Sequence, residues 1–172
     1  MNRRLVALVL AAALQGTLAS AQTVACDVKL NVTDQDPAGL NVRASPGGAI
    51  VTALKAEGRW VQVHLTGQNG EWARIDDAKE IDDETGGGEK PLFEGTGYVA
   101  FSKLGTDAGL HLQVRAAPSA AARLLLDLSV TDEGRLPTPG VLGCSGDFLK
   151  VRVGAVVGWT RDYCSNQLTT CV

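Results

Sequence analysis

The sequence predicts an all-β protein that contains two copies of one small module. Two observations support this. First, three blocks of residues return in the same order later in the chain, and such a repeat outranks other sequence signals in deciding architecture. The pairs are residues 40–46 with 112–118, 70–75 with 146–151, and 97–99 with 158–160. Second, apolar and polar residues alternate with a period of two in short runs, which is typical of half-buried strands.

The first 21 residues are predicted to be a secretory signal peptide. Residues 1–4 carry two arginines, residues 5–14 are apolar, and residues 19–21 are the small residues that a signal peptidase recognises. The apolar run is shorter than the ~20 residues that span a membrane. We therefore expect a periplasmic or secreted protein with no transmembrane segment in the mature chain. A buried N-terminal helix is the alternative.

Four cysteines, Cys26, Cys144, Cys164 and Cys171, favour disulfide bonds in an exported chain. Modules of roughly 60–80 residues have cores that are only marginally stabilising, so cross-links contribute strongly. The residues by themselves leave all three connectivities open. Two alternatives use the cysteines differently. Zinc binding lacks a Cys-x-x-Cys pair and could draw only on the two histidines of the sequence. In a bacterial lipoprotein, Cys26 would be the lipid anchor.

Residues 76–95 carry most of the acidity of a chain whose formal net charge is −3. Their charges and three consecutive glycines predict a solvated loop inserted into the first module. A calcium site at Asp82-Asp83-Glu84 is the sharper alternative, although the spacing of an EF-hand is missing. The chain has no basic stripe and few aromatic residues, which disfavours nucleic acid as a partner.

Strands are predicted at residues 60–65, 72–75 and 148–153, and glycine-rich turns separate them. Residues 124–128 are also assigned to a strand, because they occupy a strand position of the repeat. Within the repeated blocks, Val42 and Val114 are expected to point into a core. Arg43 and Arg115 alternate with them, so they are expected to be solvated or paired across strands.

At residues 39–47, Gly-Leu-Asn-Val-Arg-Ala-Ser-Pro-Gly, the chain resembles the opening of bacterial Src homology 3 (SH3b) domains. That family continues through Gly-x-Trp-x-Lys-Val and closes with Gly-Trp-Val, and both blocks occur here twice. The resemblance implies an all-β fold of two small SH3-like, partly open barrels in tandem. Domain one would span residues 22–104, with the acidic inserted loop 76–95, and domain two residues 105–172.

The resemblance also implies a shallow binding groove in each module. One border would be the turn before the tryptophan or phenylalanine of the Gly-x-Trp-x-Lys-Val block. The other would be the segment after the Gly-Tyr or Gly-Trp pair of the closing block. The candidate residues are Gln68, Asn69, Trp72, Tyr98 and Phe101 in the first module, and Ser145, Asp147, Phe148, Trp159, Arg161 and Tyr163 in the second. A place in the core is the alternative for Trp72, Phe148 and Trp159.

In an SH3-like barrel, the loop before residue 148 and the segment after residue 159 border the same side. The resemblance therefore implies a Cys144–Cys164 disulfide. Cys26 would then pair with Cys171 and join the start of the first module to the chain end.

The predicted function is an exported, non-catalytic binding protein of the bacterial cell envelope. Its partner would be a cell-wall peptide, peptidoglycan or an envelope protein. The repeated blocks contain no nucleophile, base or metal ligand, and His64 and His111 occupy non-equivalent places, so we predict no catalytic residue, metal or cofactor. The aromatic residues with which the eukaryotic relatives of that family bind polyproline helices are missing, and we expect no catalytic domain beside the modules. A scaffold of two docked barrels without a small ligand is the alternative.

Overall fold

The computed structural model describes residues 23–55, 60–82, 88–129 and 136–164. Within these ranges the chain is almost entirely β-strand, with no α-helix, which confirms the predicted all-β class. The strands are β1 (Val24–Val32), β2 (Leu40–Arg43), β3 (Ile50–Leu54), β4 (Trp60–Asn69), β5 (Trp72–Asp82), β6 (Gly88–Ala100), β7 (Leu104–Gly105), β8 (His111–Arg115), β9 (Leu124–Ser129), β10 (Gly140–Ser145), β11 (Phe148–Val153) and β12 (Val156–Thr160). A 3-10 turn, Phe101–Lys103, joins β6 to β7. The predicted signal peptide lies outside the described residues.

Two sheets carry the same strand order. The first runs β3-β2-β6-β5-β4-β1-β7, and the second, read from its far edge, runs β9-β8-β12-β11-β10. Five strands of the first sheet therefore correspond one to one with the five of the second, and β1 and β7 are additions to the first. The sheets are curled, which is compatible with SH3-like barrels.

The repeated blocks occupy equivalent positions in the two sheets. The cross-strand pairs are Arg43 with Tyr98 and Tyr98 with Arg74 in the first sheet, and Arg115 with Trp159 and Trp159 with Lys150 in the second. Directly opposite residues project from the same face of a sheet. Each module therefore carries one aromatic side chain between two cationic neighbours.

The two arginines of the repeat brace equivalent turns. Arg43 Nη1 donates a hydrogen bond of 2.6 Å to the carbonyl oxygen of Gly48. Arg115 Nη1 donates one of 3.1 Å to the carbonyl oxygen of Ala122. Both bonds close the hairpin that follows the arginine, so this residue type has a structural role in each copy.

The glycine of each closing block allows two strands to approach closely. An added Cβ at Gly97 would lie well under 3.0 Å from the side chain of Val42, and one at Gly158 would lie 2.6 Å from Val114 Cγ1. Both valines are fully buried, as predicted. The repeated glycine and the repeated valine are thus two halves of one packing contact.

The two sheets share one hydrophobic core. Its members include Val28, Leu30 and Val63 from the first sheet and Leu112 and Leu149 from the second. Burial of apolar area from both sheets in one cluster resists their separation. No helix of the described ranges is long and apolar enough to cross a membrane.

The prediction of a solvated loop at residues 76–95 is wrong for the described part of that segment. β5 and β6 pair from Asp77 opposite Glu94 to Asp82 opposite Gly88, with one register shift between Ala78 and Lys79. Alternate positions point inward: Ala78 is fully buried, and Glu80 is 4% exposed, with its carboxylate 3.8 Å from Lys90 Nζ. The many acidic residues of this segment favoured a loop in the sequence analysis, although buried and exposed positions alternate along it as in a strand. The calcium alternative rests on Asp82, Asp83 and Glu84, whose side chains lie outside the described residues.

Candidate ligand-binding cleft at the sheet junction

A disulfide bond between Cys26 and Cys144 joins the two sheets, with 5.7 Å between the Cα atoms. Both pairings implied by the resemblance, Cys144–Cys164 and Cys26–Cys171, are therefore wrong. Cys164 is also disulfide-bonded, and Cys171 lies outside the described residues. Cys26 has no free thiol and is unavailable as a lipid anchor.

The position of β1 explains this pairing. The strand is hydrogen-bonded to β4 along one side, and near its start it meets the turn between β10 and β11. There the Asp27 N–H donates to the Gly146 carbonyl and the Gly146 N–H donates to the Ala25 carbonyl, each at 2.8 Å. These two bonds place Cys26 directly beside Cys144.

Gln68 reinforces the junction through its side-chain amide. Its Oε1 accepts a hydrogen bond of 2.8 Å from the Cys144 N–H, and its Nε2 donates one of 2.9 Å to the Gly70 carbonyl. Gly143 makes room for it, since a Cβ there would lie under 3.0 Å from Gln68 Oε1. This predicted groove residue is thus engaged in joining the sheets.

Trp72 and Phe101, two of the predicted site residues, line one cleft of about 240 Å³ at this junction. The lining residues are Glu71, Trp72, Ala100, Phe101, Ser102, Val141 and Leu142. Phe101 is 3% exposed and forms a wall, whereas Trp72 is half-buried. The Arg43 guanidinium lies 5.8 Å from the centre of the Trp72 ring and restrains it through a cation–π contact. Val141 and Leu142 complete the cleft from β10, a contribution that no pattern within one module indicates.

Four further candidates cluster on the second sheet. Arg161 forms an ion pair with the Asp147 carboxylate, and its guanidinium lies 5.2 Å from the centre of the Phe148 ring. The Tyr163 hydroxyl donates to the Asp147 carbonyl oxygen at 3.4 Å. Burial, with the nearby carboxylates of Asp147 and Asp27 adding to it, raises the pKa of Tyr163 to about 12. Phe148 is buried, in agreement with its alternative assignment to the core.

The remaining candidates are Asn69, Tyr98, Ser145 and Trp159. Asn69 and Ser145 end equivalent strands just before two-residue turns. Tyr98 and Trp159 are half-buried between cationic neighbours, and Lys150 Nζ lies 5.9 Å from the centre of the Trp159 ring. None of the four lines the junction cleft, so the candidates do not converge on one groove.

His64 on β4 lies between two carboxylates, an arrangement that the sequence analysis missed because Asp27 and Asp76 are distant in sequence. Its Nδ1 is 2.7 Å from Asp76 Oδ1, and its Nε2 is 3.0 Å from Asp27 Oδ1. A carboxylate only accepts hydrogen bonds, and a neutral imidazole has a single N–H, so both bonds require the imidazolium. Burial lowers the pKa of His64, but the two carboxylate hydrogen bonds outweigh it and the net shift is upward.

We expect the free energy of unfolding to decrease as the pH rises through the pKa of folded His64. Because the pKa of His64 is higher in the folded than in the unfolded state, protonated His64 stabilises the fold fully below the unfolded-state pKa of 6.5. This stabilisation is lost as the pH rises through the higher, folded-state pKa. The decrease should stay below about 1 kcal/mol, because both carboxylates are solvent-exposed. Urea denaturation of wild type and His64→Gln between about pH 5 and pH 9 measures it.

The control for this measurement is His111→Gln. His111 Nδ1 contacts the Ser129 hydroxyl at 2.9 Å, and no carboxylate is described beside it. This variant should follow the wild-type pH dependence. Identical profiles for wild type and His64→Gln would contradict the assignment. No group of three or more His, Cys, Asp or Glu residues among the described residues, including His64 with Asp27 and Asp76, is arranged so that it could hold a metal ion.

The fold and the junction define an all-β protein of a seven-stranded and a five-stranded sheet, which share a five-strand order and are cross-linked by a disulfide. No family model matches the sequence, and no curated protein does either. Among solved structures, the chain is similar to NlpC2 from Trichomonas vaginalis, with 11% sequence identity and a TM-score of 0.32. The match covers 88% of this chain and 52% of that one, so the chain spans about half of its length. At this TM-score the similarity carries no conclusion about function.

Proposed function

We propose that this protein is an exported, non-catalytic, SH3b-like binding protein of the bacterial cell envelope. It recognises a cell-wall peptide or an envelope protein through the junction cleft. The observation that carries this proposal is the half-buried Trp72, held against a mostly apolar cleft whose walls come from both sheets. The disulfide supports export, because such bonds persist in oxidising compartments.

The chemistry of the cleft favours a peptide. Its volume of about 240 Å³ is below the ~300–1,000 Å³ of sites that enclose a whole small molecule. It suits a single apolar side chain, which would pack against Trp72, Phe101 and Leu142. Glu71 and Ser102 at the same cleft can hydrogen-bond the backbone or a polar neighbour of that side chain.

A scaffold without a small ligand is the second candidate function. The shared core and the Cys26–Cys144 bond favour it, since they hold the sheets in one arrangement. In that case the outer surfaces of the two units would contact other proteins, and the junction cleft would stay empty.

Sedimentation with purified peptidoglycan and titration with its stem peptides test the proposal. We expect wild type to bind both, and Trp72→Leu to bind the stem peptides at least about tenfold more weakly because the aromatic wall is lost. Trp159→Leu is the matched control: its tryptophan is also half-buried beside a cation but lies outside the cleft.

Circular dichroism and thermal denaturation establish that both variants fold. Wild type that binds neither peptidoglycan nor stem peptide would contradict the peptide proposal and favour the scaffold. Equal loss of binding in the two folded variants would contradict the assignment to the junction cleft.

A further inference from the structure

A second, larger cleft lies in the first sheet, away from the junction. Its volume is about 520 Å³, within the ~300–1,000 Å³ of ligand-binding clefts. It is formed by residues 33–39, which follow β1, by the end of β3 and by the start of β4. Trp60 is 43% exposed there, which is unusual for the largest apolar side chain.

The wall opposite Trp60 is held in place by hydrogen bonds. The Asp34 side chain is only 10% exposed, and its Oδ1 lies 2.9 Å from Lys103 Nζ. The Gly39 N–H donates to the Asp36 carbonyl oxygen at 2.8 Å. Gly39 has a φ of +86° and lies against Leu54, where a Cβ would come under 3.0 Å from the carbonyl oxygen. A cleft with a preorganised wall loses little conformational entropy when a ligand binds.

The charges at this cleft cancel. Lys103, just outside the lining, forms an ion pair with Asp34, and the lining itself carries Asp36 and Lys55, so two carboxylates are balanced by two ammonium groups. A strongly charged ligand gains no net attraction from such a surface. A ligand rich in hydroxyl groups does gain, because a hydroxyl both donates and accepts: it can donate to Asp36, accept from Lys55 and do both with the Gln35 amide.

The exposed indole of Trp60 adds an apolar contact surface to these polar groups. An aromatic face packs well against a flat apolar surface, while the polar groups around it fix the orientation of the ligand. We propose that the Trp60 cleft is a saccharide-binding site, in which the C–H face of a sugar ring stacks on Trp60 and the hydroxyls bond Gln35, Asp36 and Lys55. This site is separate from the junction cleft and does not depend on peptide binding there.

Titration with soluble chitotriose and cellotriose, followed by calorimetry and tryptophan fluorescence, tests the proposal. These neutral trisaccharides differ in their N-acetyl groups, so together they probe the ring and its hydroxyls. We expect at least one to bind saturably. Trp60→Ala should weaken that binding at least about tenfold, while Trp60→Phe, which keeps an aromatic face, should retain most of it. Asp36→Asn should weaken it less, since an amide still accepts.

Two controls separate this site from the junction cleft. Trp159→Phe should bind the saccharide as wild type does. Trp72→Leu should also keep saccharide binding, even though it is expected to lose the stem peptide. The proposal is overturned if neither sugar binds saturably up to about 10 mM, well above the concentrations at which specific sites fill, or if folded Trp60→Ala binds like wild type. Neither result affects the peptide titration.

Discussion

Replacement of both Cys26 and Cys144 by serine is expected to lower the free energy of unfolding by about 2–5 kcal/mol. The bond spans 118 positions of sequence, so its loss releases a long loop in the unfolded chain. Both cysteines are buried, and Cys144 is fully so. The double variant avoids leaving one reactive thiol in the core. Urea denaturation of wild type and variant measures the difference.

The same variant should also weaken peptide binding, because Val141 and Leu142 are kept against Trp72 by this end of β10. Gln68→Ala is the matched control at the junction. It removes the hydrogen bond to the Cys144 N–H but leaves the disulfide, and should lower the free energy of unfolding by only about 1 kcal/mol.

Peptide mapping under non-reducing conditions tests the disulfide pairing directly. A Cys26–Cys171 or Cys144–Cys164 peptide would contradict the pairing.

Substitution of Gly97 or Gly158 by alanine is expected to destabilise the protein by about 1–3 kcal/mol in each case. The added methyl group would overlap Val42 in the first module and Val114 in the second, both at fully buried positions where neighbours have little room to move. The larger effect is expected for Gly158→Ala, because a Cβ there would also lie 2.5 Å from the backbone carbonyl oxygen of Arg115, whereas a Cβ at Gly97 would meet only side chains. Thermal and urea denaturation of the two single variants test this.

Gly140→Ala is the control for the alanine substitutions. Gly140 also lies in a strand, but a Cβ there would meet its nearest neighbour, the Arg152 carbonyl oxygen, at an ordinary 3.8 Å. We expect little change in this variant. Adding Val42→Ala to Gly97→Ala should give a smaller loss than the sum of the two single effects, because the smaller side chain relieves the overlap. Strict additivity, or Gly97→Ala as stable as Gly140→Ala, would contradict the proposed contact.

Local sequence patterns were sufficient for several of the strands and for the inward valines, but not for β1. Alternation along residues 60–65 and 148–153 predicts strands because a pleated chain exposes opposite faces in turn. The first of them continues to Asn69, through residues that were predicted to form a turn. The same rule applies to residues 76–82, where Ala78 and Glu80 point inward. There the density of acids favoured a loop, since composition does not distinguish a solvated strand face from a solvated loop.

Sequence reasoning predicted only some of the residues that line the junction cleft. Trp72 was predicted because it lies in the block 70–75, and Phe101 because it follows the closing block 97–99 of the same module. Val141 and Leu142 were missed, because they reach the cleft only when β10 lies against the first sheet. His64 was seen as an isolated residue for the same reason: its partners Asp27 and Asp76 come from strands on either side of it.

The sequence by itself determined that this protein is all-β and that its module occurs twice, because both properties follow from short-range periodicity and from self-similarity. The tertiary structure alone decided the disulfide pairing and the composite cleft. The pairing depends on β1, which has no counterpart in the second sheet and meets the β10–β11 turn. The cleft depends on β10, whose Val141 and Leu142 lie against residues of the first sheet. The repeat specifies what the two copies have in common, and their cross-link uses a strand that only the first copy has.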